Sequence, residues 1–145
     1  MYETYSKQSL PEKEYRELLG TALCVFSSNN GFLIENIIRT NVSPNSWYDL
    51  IDKTSGQLKT HLSNTISKKS GNKDIENLFL EIVEMRNRII HGFRITSKEG
   101  EQILATKERK ENGHLQFDEI TPKYLMDFIE KNDKLSDLLH EYRGY

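Results

Sequence analysis

The stretch DIENLFLEIVEMRNRIIH, running from Asp74 to His91, decides the architecture. With Ile75 set at zero and about 100° added per residue, Leu78, Phe79, Ile82, Val83, Ile89 and Ile90 fall within about 80° of that direction. That stripe predicts an amphipathic helix with one face in a core. Arg86 lands about 20° from the centre of the same stripe. A guanidinium keeps its charge, and leaving one unpaired among apolar side chains costs several kcal/mol. Arg86 must therefore snorkel to a rim, pair with a buried carboxylate, or face a groove or another subunit.

Working outward, the same rhythm recurs on both sides. Ser9-Leu10-Pro11-Glu12 reads as a capped helix start. Tyr15, Leu18, Leu19, Ala22, Leu23 and Phe26 then supply a buried face. Ser27-Ser28-Asn29-Asn30-Gly31 is expected to end that helix, and Phe32 to Ile38 to form a second, shorter one. Ser46, with Asp49 in the first turn, caps a long third helix whose stripe is Trp47, Leu50, Ile51, Leu58, Leu62 and Ile66. Gly56 marks a bend within it. Lys68 to Lys73 is a polar break before the quoted stretch.

Beyond His91 the period changes. Phe93-Arg94-Ile95 and Gln102 to Thr106 read as extended, Asn112-Gly113 is a hairpin turn signal, and Leu115 to Ile120 alternates apolar and polar. Residues 102–120 are thus expected to form a β-hairpin inserted before a last helix. That helix opens at Thr121-Pro122 and presents Leu125, Phe128, Ile129, Leu135, Leu138 and Leu139. The fold class is mainly α: a bundle of about five helices with one inserted hairpin, in a single domain over 1–145.

Composition narrows the function classes. The 145 residues carry 20 basic and 22 acidic side chains, a net charge of −2. Such a chain does not coat nucleic acid non-specifically, so any RNA contact must be local. One cysteine, Cys24, excludes an intramolecular disulfide and is expected as a small buried hydrophobe. The N-terminal residues show no basic start followed by an apolar run, and no stretch approaches the ~18 apolar residues of a membrane span. A cytoplasmic protein with no membrane contact is expected.

The end of the quoted helix carries the chemistry. Asn87 and His91 sit at i and i+4 and share a face, flanked by Glu84 and Arg88. His91 precedes Gly92, a residue that commonly ends helices, and the helix dipole favours a protonated imidazole there. A helix-end histidine can also move a proton near neutral pH, and an arginine can hold a phosphate's charge. One chain offers a single histidine at this place, whereas phosphodiester cleavage uses an acid and a base. Two copies meeting across an axis would supply both.

Arg86-Asn87-Arg88-Ile89-Ile90-His91 resembles the R-x4–6-H motif of the HEPN superfamily in its common R-N-x-x-x-H form. The resemblance implies a HEPN-like helical bundle, with Arg86 and His91 as the catalytic pair and Asn87 orienting them. It implies a homodimer whose two motifs face each other, and cleavage of RNA through 2′-hydroxyl attack with no metal and no cofactor. Many members are toxins, or antiviral and abortive-infection effectors, which points to an antitoxin or regulatory protein as a further partner. A large subgroup paired with nucleotidyltransferase antitoxins has tyrosine two residues after the histidine. Phe93 stands there in this chain and offers no hydroxyl to modify. The other reading within the family is a non-catalytic domain that binds RNA or a protein.

Arg88, Lys68 and Lys69 are candidate RNA-phosphate contacts, with Lys73 beside the two lysines. His61, His114 and His140 read as surface or helix-end residues, and Lys107 to Glu111 as a solvated hairpin tip of mixed sign. Trp47, Phe79 and Phe128 sit at core spacing, so base stacking is not expected of them. An unrelated helical adaptor carrying the motif by chance is the remaining alternative.

Overall fold

The computed structural model describes residues 2–40, 46–109 and 115–144. After a 3-10 turn at Tyr2–Tyr5 come α1 (Lys13–Thr40), α2 (Trp47–Ile51), α3 (Ser55–Leu62), α4 (Lys68–Ser70) and α5 (Asp74–Ile90). The strands β1 (Phe93–Thr96), β2 (Gln102–Arg109) and β3 (Leu115–Ile120) lead to α6 (Pro122–Arg143). The mainly helical bundle with a β-hairpin before its last helix is therefore what the chain forms. The hairpin of β2 and β3 gains β1 on its other edge, giving an antiparallel sheet in the order β1-β2-β3. Phe93 pairs with Ala105, and Leu104 pairs with both Arg94 and Ile120. The Asn112-Gly113 turn and His114 lie outside the described residues.

Phe26, Phe79 and Phe128 bring α1, α5 and α6 together, with ring centroids 6.5 Å apart for Phe26–Phe79 and 6.3 Å for Phe26–Phe128. Leu33, Ile82, Leu125 and Leu135 are fully buried around them. Tyr15 fastens the sheet to the bundle. Its hydroxyl donates to the Ile120 carbonyl at 2.7 Å and accepts from the Leu104 amide at 3.1 Å. Burial pushes the Tyr15 hydroxyl's pKa up.

Five expectations are corrected. The first helix does not stop at Ser27 to Gly31, because α1 runs on to Thr40. Asparagine and glycine in a helix each cost at most about 1 kcal/mol relative to alanine. Phe26, Leu33, Ile34 and Ile37 are buried along the same helix, and burying such side chains contributes roughly 1.5–3 kcal/mol each. Asn29 also gains partners, donating to the Asn132 carbonyl at 2.7 Å and to Asn132 Oδ1 at 3.1 Å. The helix begins at Lys13 and not behind a Ser9 cap, since the Ser9 carbonyl instead accepts from Arg94 Nη1.

The long third helix is broken between α2 and α3. Ser46 and Asp49 form the expected capping box, but Thr54 and Gln57 form a second one that starts α3 afresh. Gly56 falls in the first turn of α3, so the break lies before it. Finally, Cys24 is exposed and Trp47 is 38% exposed. Cys24 lies two residues, about 200°, from the buried Ala22 and thus on the opposite face of α1. In the five-residue α2 the buried side chain is Leu50.

The start of α5 packs on a π-helical turn, Ser63–Ser67. Ser63 Oγ at 2.5 Å and Ser67 Oγ at 3.1 Å both donate to Glu76 Oε1, which is buried. Those hydrogen bonds, Ser63's first, hold the Glu76 pKa below its ordinary value against the opposing effect of burial.

Candidate functional site

Arg86 is half-buried at the C-terminal end of α5, and its surroundings choose among the three options left by its position. Its guanidinium carbon sits 5.0 Å from the centre of the Phe26 ring, a cation–π contact. Its Nη1 donates to Asn87 Oδ1 at 3.0 Å. Among the described residues no carboxylate lies within ion-pair distance of it. Arg86 instead faces a groove. Together with Asn87 and Val83 of α5 it lines a cleft of about 390 Å³ closed by Phe26 and Asn30 of α1, Ile51 at the end of α2, Lys53 and Thr54 between α2 and α3, and Gly56 and Leu58 of α3. Two cations and no carboxylate line this cleft, which makes it a place for an anion.

Local structure explains the opposite wall. The Thr54 side chain accepts from the Gln57 amide at 3.3 Å, and Gln57 Oε1 accepts from the Thr54 amide at 2.9 Å. The chain is therefore forced to turn at Asp52 and Lys53, and Lys53 is delivered to the cleft edge. A Cβ added at Gly56 would meet nothing within 4 Å, so its backbone stands open. As N2 of α3 its amide is one of the four that helix geometry leaves without a partner inside the helix.

His91 forms the cap that ends α5. Its amide donates to the Asn87 carbonyl at 3.0 Å, which keeps the helical i, i+4 relation between the two residues. The imidazole is exposed and does not line the cleft. Gly92 follows because the chain there runs close to the sheet. A Cβ would come within 3.0 Å of the Ile89 carbonyl oxygen and 3.3 Å of that of Ala105. Close approach, and not a left-handed conformation, requires glycine here. Beside His91, Ile90 is a large apolar side chain at the motif left 49% exposed.

The remaining candidates scatter. Arg88 pairs with Glu84 one turn earlier at 3.4 Å and contributes its charge near Tyr124, whose hydroxyl donates to the Met85 carbonyl. Lys68 and Lys69 are exposed on α4, before the N-terminus of α5. Arg86 lies twelve residues past Asp74, about 18 Å along the axis, at the other end of that helix. Lys69 sits over the Tyr142 ring at 5.9 Å. The structure thus brings together Arg86 and Asn87, sets His91 one turn away, and leaves the two lysines apart from them.

Sequence reasoning missed Lys53, Thr54 and Gly56. The Thr54-x-x-Gln57 pattern is the local signal for them, masked by the apolar stripe that runs across it from Trp47 to Ile66. Among the described residues no three His, Cys, Asp or Glu side chains gather as metal ligands do, and no helix is long and apolar enough to cross a membrane. Compared with family models, curated proteins and solved structures, the chain matches none of them.

Proposed function

We propose that this chain is a metal-independent endoribonuclease of HEPN type, working in the cytoplasm as a toxin or as an antiviral or abortive-infection effector. The observation that carries the proposal is Arg86: a half-buried guanidinium without a carboxylate partner, turned into an open cleft beside Asn87. A permanent cation held that way suits a phosphate oxygen. His91, one turn beyond Asn87 and exposed, is the titratable group that chemistry needs.

Two copies meet around the exposed Ile90–His91 corner, so that one imidazole serves as base and the other as acid. One His91 removes the proton of an RNA 2′-hydroxyl. The 2′-oxygen bonds to the adjacent phosphorus, the bond from phosphorus to the 5′-oxygen breaks, and the second His91 protonates that oxygen. The products are a 2′,3′-cyclic phosphate and a free 5′-hydroxyl. Arg86 steadies the charge that builds on the phosphoryl oxygens, and Asn87 fixes the guanidinium. Phe93 bears no hydroxyl, so a regulatory partner silences this chain by some route other than modification at that position.

A second reading, a non-catalytic module that binds RNA or a protein partner, is favoured by the place of His91 outside the cleft lining. Cleavage decides between the two. Purified wild type in EDTA is expected to cut single-stranded RNA, and His91→Ala and Arg86→Ala each to lower the rate by about 10²–10⁴-fold. In cells, wild type arrests growth and His91→Ala relieves it. Equal harmlessness of wild type and mutant, with no cutting by either, leaves the binding module.

A further inference from the structure

Next to the cleft stands an aromatic pair that a packed core does not use. Trp47 and Tyr48 open α2, Trp47 38% and Tyr48 77% exposed, with rings edge to face at 5.5 Å. Ile51 lies i+4 from Trp47 and so on the same side of the helix, and Ile51 lines the cleft. Trp47 therefore stands one turn, about 6 Å along the axis, above the cleft wall. At the far edge of that wall are Lys53 and the open backbone of Gly56.

We infer that this edge is a nucleotide subsite of single-stranded RNA: a phosphate seats between Lys53, Arg86 and the first turn of α3, and the attached base packs against the Trp47–Tyr48 pair, its face on one ring and its edge on the other. An exposed aromatic beside a cationic groove is the combination that holds unpaired bases with little regard to sequence, because every base has a face to stack. Cationic walls without a carboxylate favour an anion such as phosphate over a neutral or cationic ligand, and a first helical turn adds amide donors suited to the same charge. Duplex RNA keeps its bases stacked inside and gains nothing from the aromatic pair, so the subsite selects single strands. The choice of RNA as the strand rests on the nuclease proposal; the subsite itself rests on the cleft and the aromatic pair.

Trp47 is the only tryptophan in the chain, so its emission reports the subsite alone. The probe is a short 2′-O-methyl oligoribonucleotide, which binds but has no 2′-hydroxyl with which to be cleaved. Titration into the full chain is expected to quench Trp47 saturably. Inorganic phosphate competes weakly, and the same oligonucleotide annealed into a duplex binds at least about tenfold more weakly. Tyr48→Ala weakens binding about tenfold. Lys53→Gln weakens it and lowers the slope of log affinity against log salt by about one. Gly56→Leu, which adds a side chain where the protein has only open space, blocks quenching while melting at or above the wild-type temperature.

Unchanged Trp47 emission at saturating oligonucleotide overturns the inference, as does quenching indifferent to Lys53→Gln and Gly56→Leu. Emission that changes with protein concentration alone, together with a doubled mass, overturns it too and assigns the aromatic pair to contact with a second copy. A chain that binds this probe but never cuts unmodified RNA keeps the subsite and removes only the nuclease proposal.

Discussion

Arg86 sits where an apolar side chain would be expected, near the centre of the α5 stripe and against Phe26. With no carboxylate beside it, replacing it leaves no opposite charge stranded, in contrast to breaking a buried ion pair. Arg86→Met is therefore expected to keep or raise the melting temperature while activity on RNA is lost, the sign of a residue held for function at some expense of stability. A drop of more than about 2 kcal/mol in denaturant unfolding would make Arg86 a structural residue instead. Glu76 behaves oppositely. Its pKa is lowered in the folded chain, so its contribution is complete above the ordinary glutamate value of 4.5 and fades as pH falls below that value through the folded one. Glu76→Gln is expected to flatten the acid limb of a stability–pH profile, and an unchanged limb would show that other carboxylates dominate it. The anomaly of Arg86 was legible because a helical stripe fixes direction to within tens of degrees. Which of three remedies it takes was not, since that depends on what α1 and α3 bring opposite.

At the scale of elements, α5 and α6 were legible because each carries a continuous stripe bounded by capping or turn residues, as Thr121 and Pro122 show. The extent of α1 was not. Asn29 looked like a helix stop until Asn132, 103 residues away, supplied a buried partner. The same distance effect governs the junction of α5 with the sheet. Gly92 is demanded by the Ala105 carbonyl on β2, a strand whose contact with that position no local pattern announces. Gly92→Ala is expected to cost about 1–3 kcal/mol in denaturant unfolding, because two of the three atoms it meets are backbone oxygens that cannot swing aside. It should also lower activity by shifting the neighbouring His91. Unaltered stability would show that the approach to β2 is looser than the geometry states.

For the molecule as a whole, one bundle presents the motif at a corner with the exposed Ile90 and His91, the cleft behind Asn87 on one side and the sheet on the other. The net charge of −2 leaves little long-range attraction for RNA, so any affinity for it must rest on the few cations and aromatics of the cleft. The proposed chemistry would take its second imidazole from a second copy, met at the corner where His91 is exposed. The most direct measurement is to incubate the purified chain with end-labelled single-stranded RNA in EDTA and identify the new termini. The proposed reaction predicts 2′,3′-cyclic phosphate and 5′-hydroxyl ends, produced by wild type and lost in His91→Ala. Intact RNA, or ends bearing a 3′-hydroxyl and a 5′-phosphate, would contradict it.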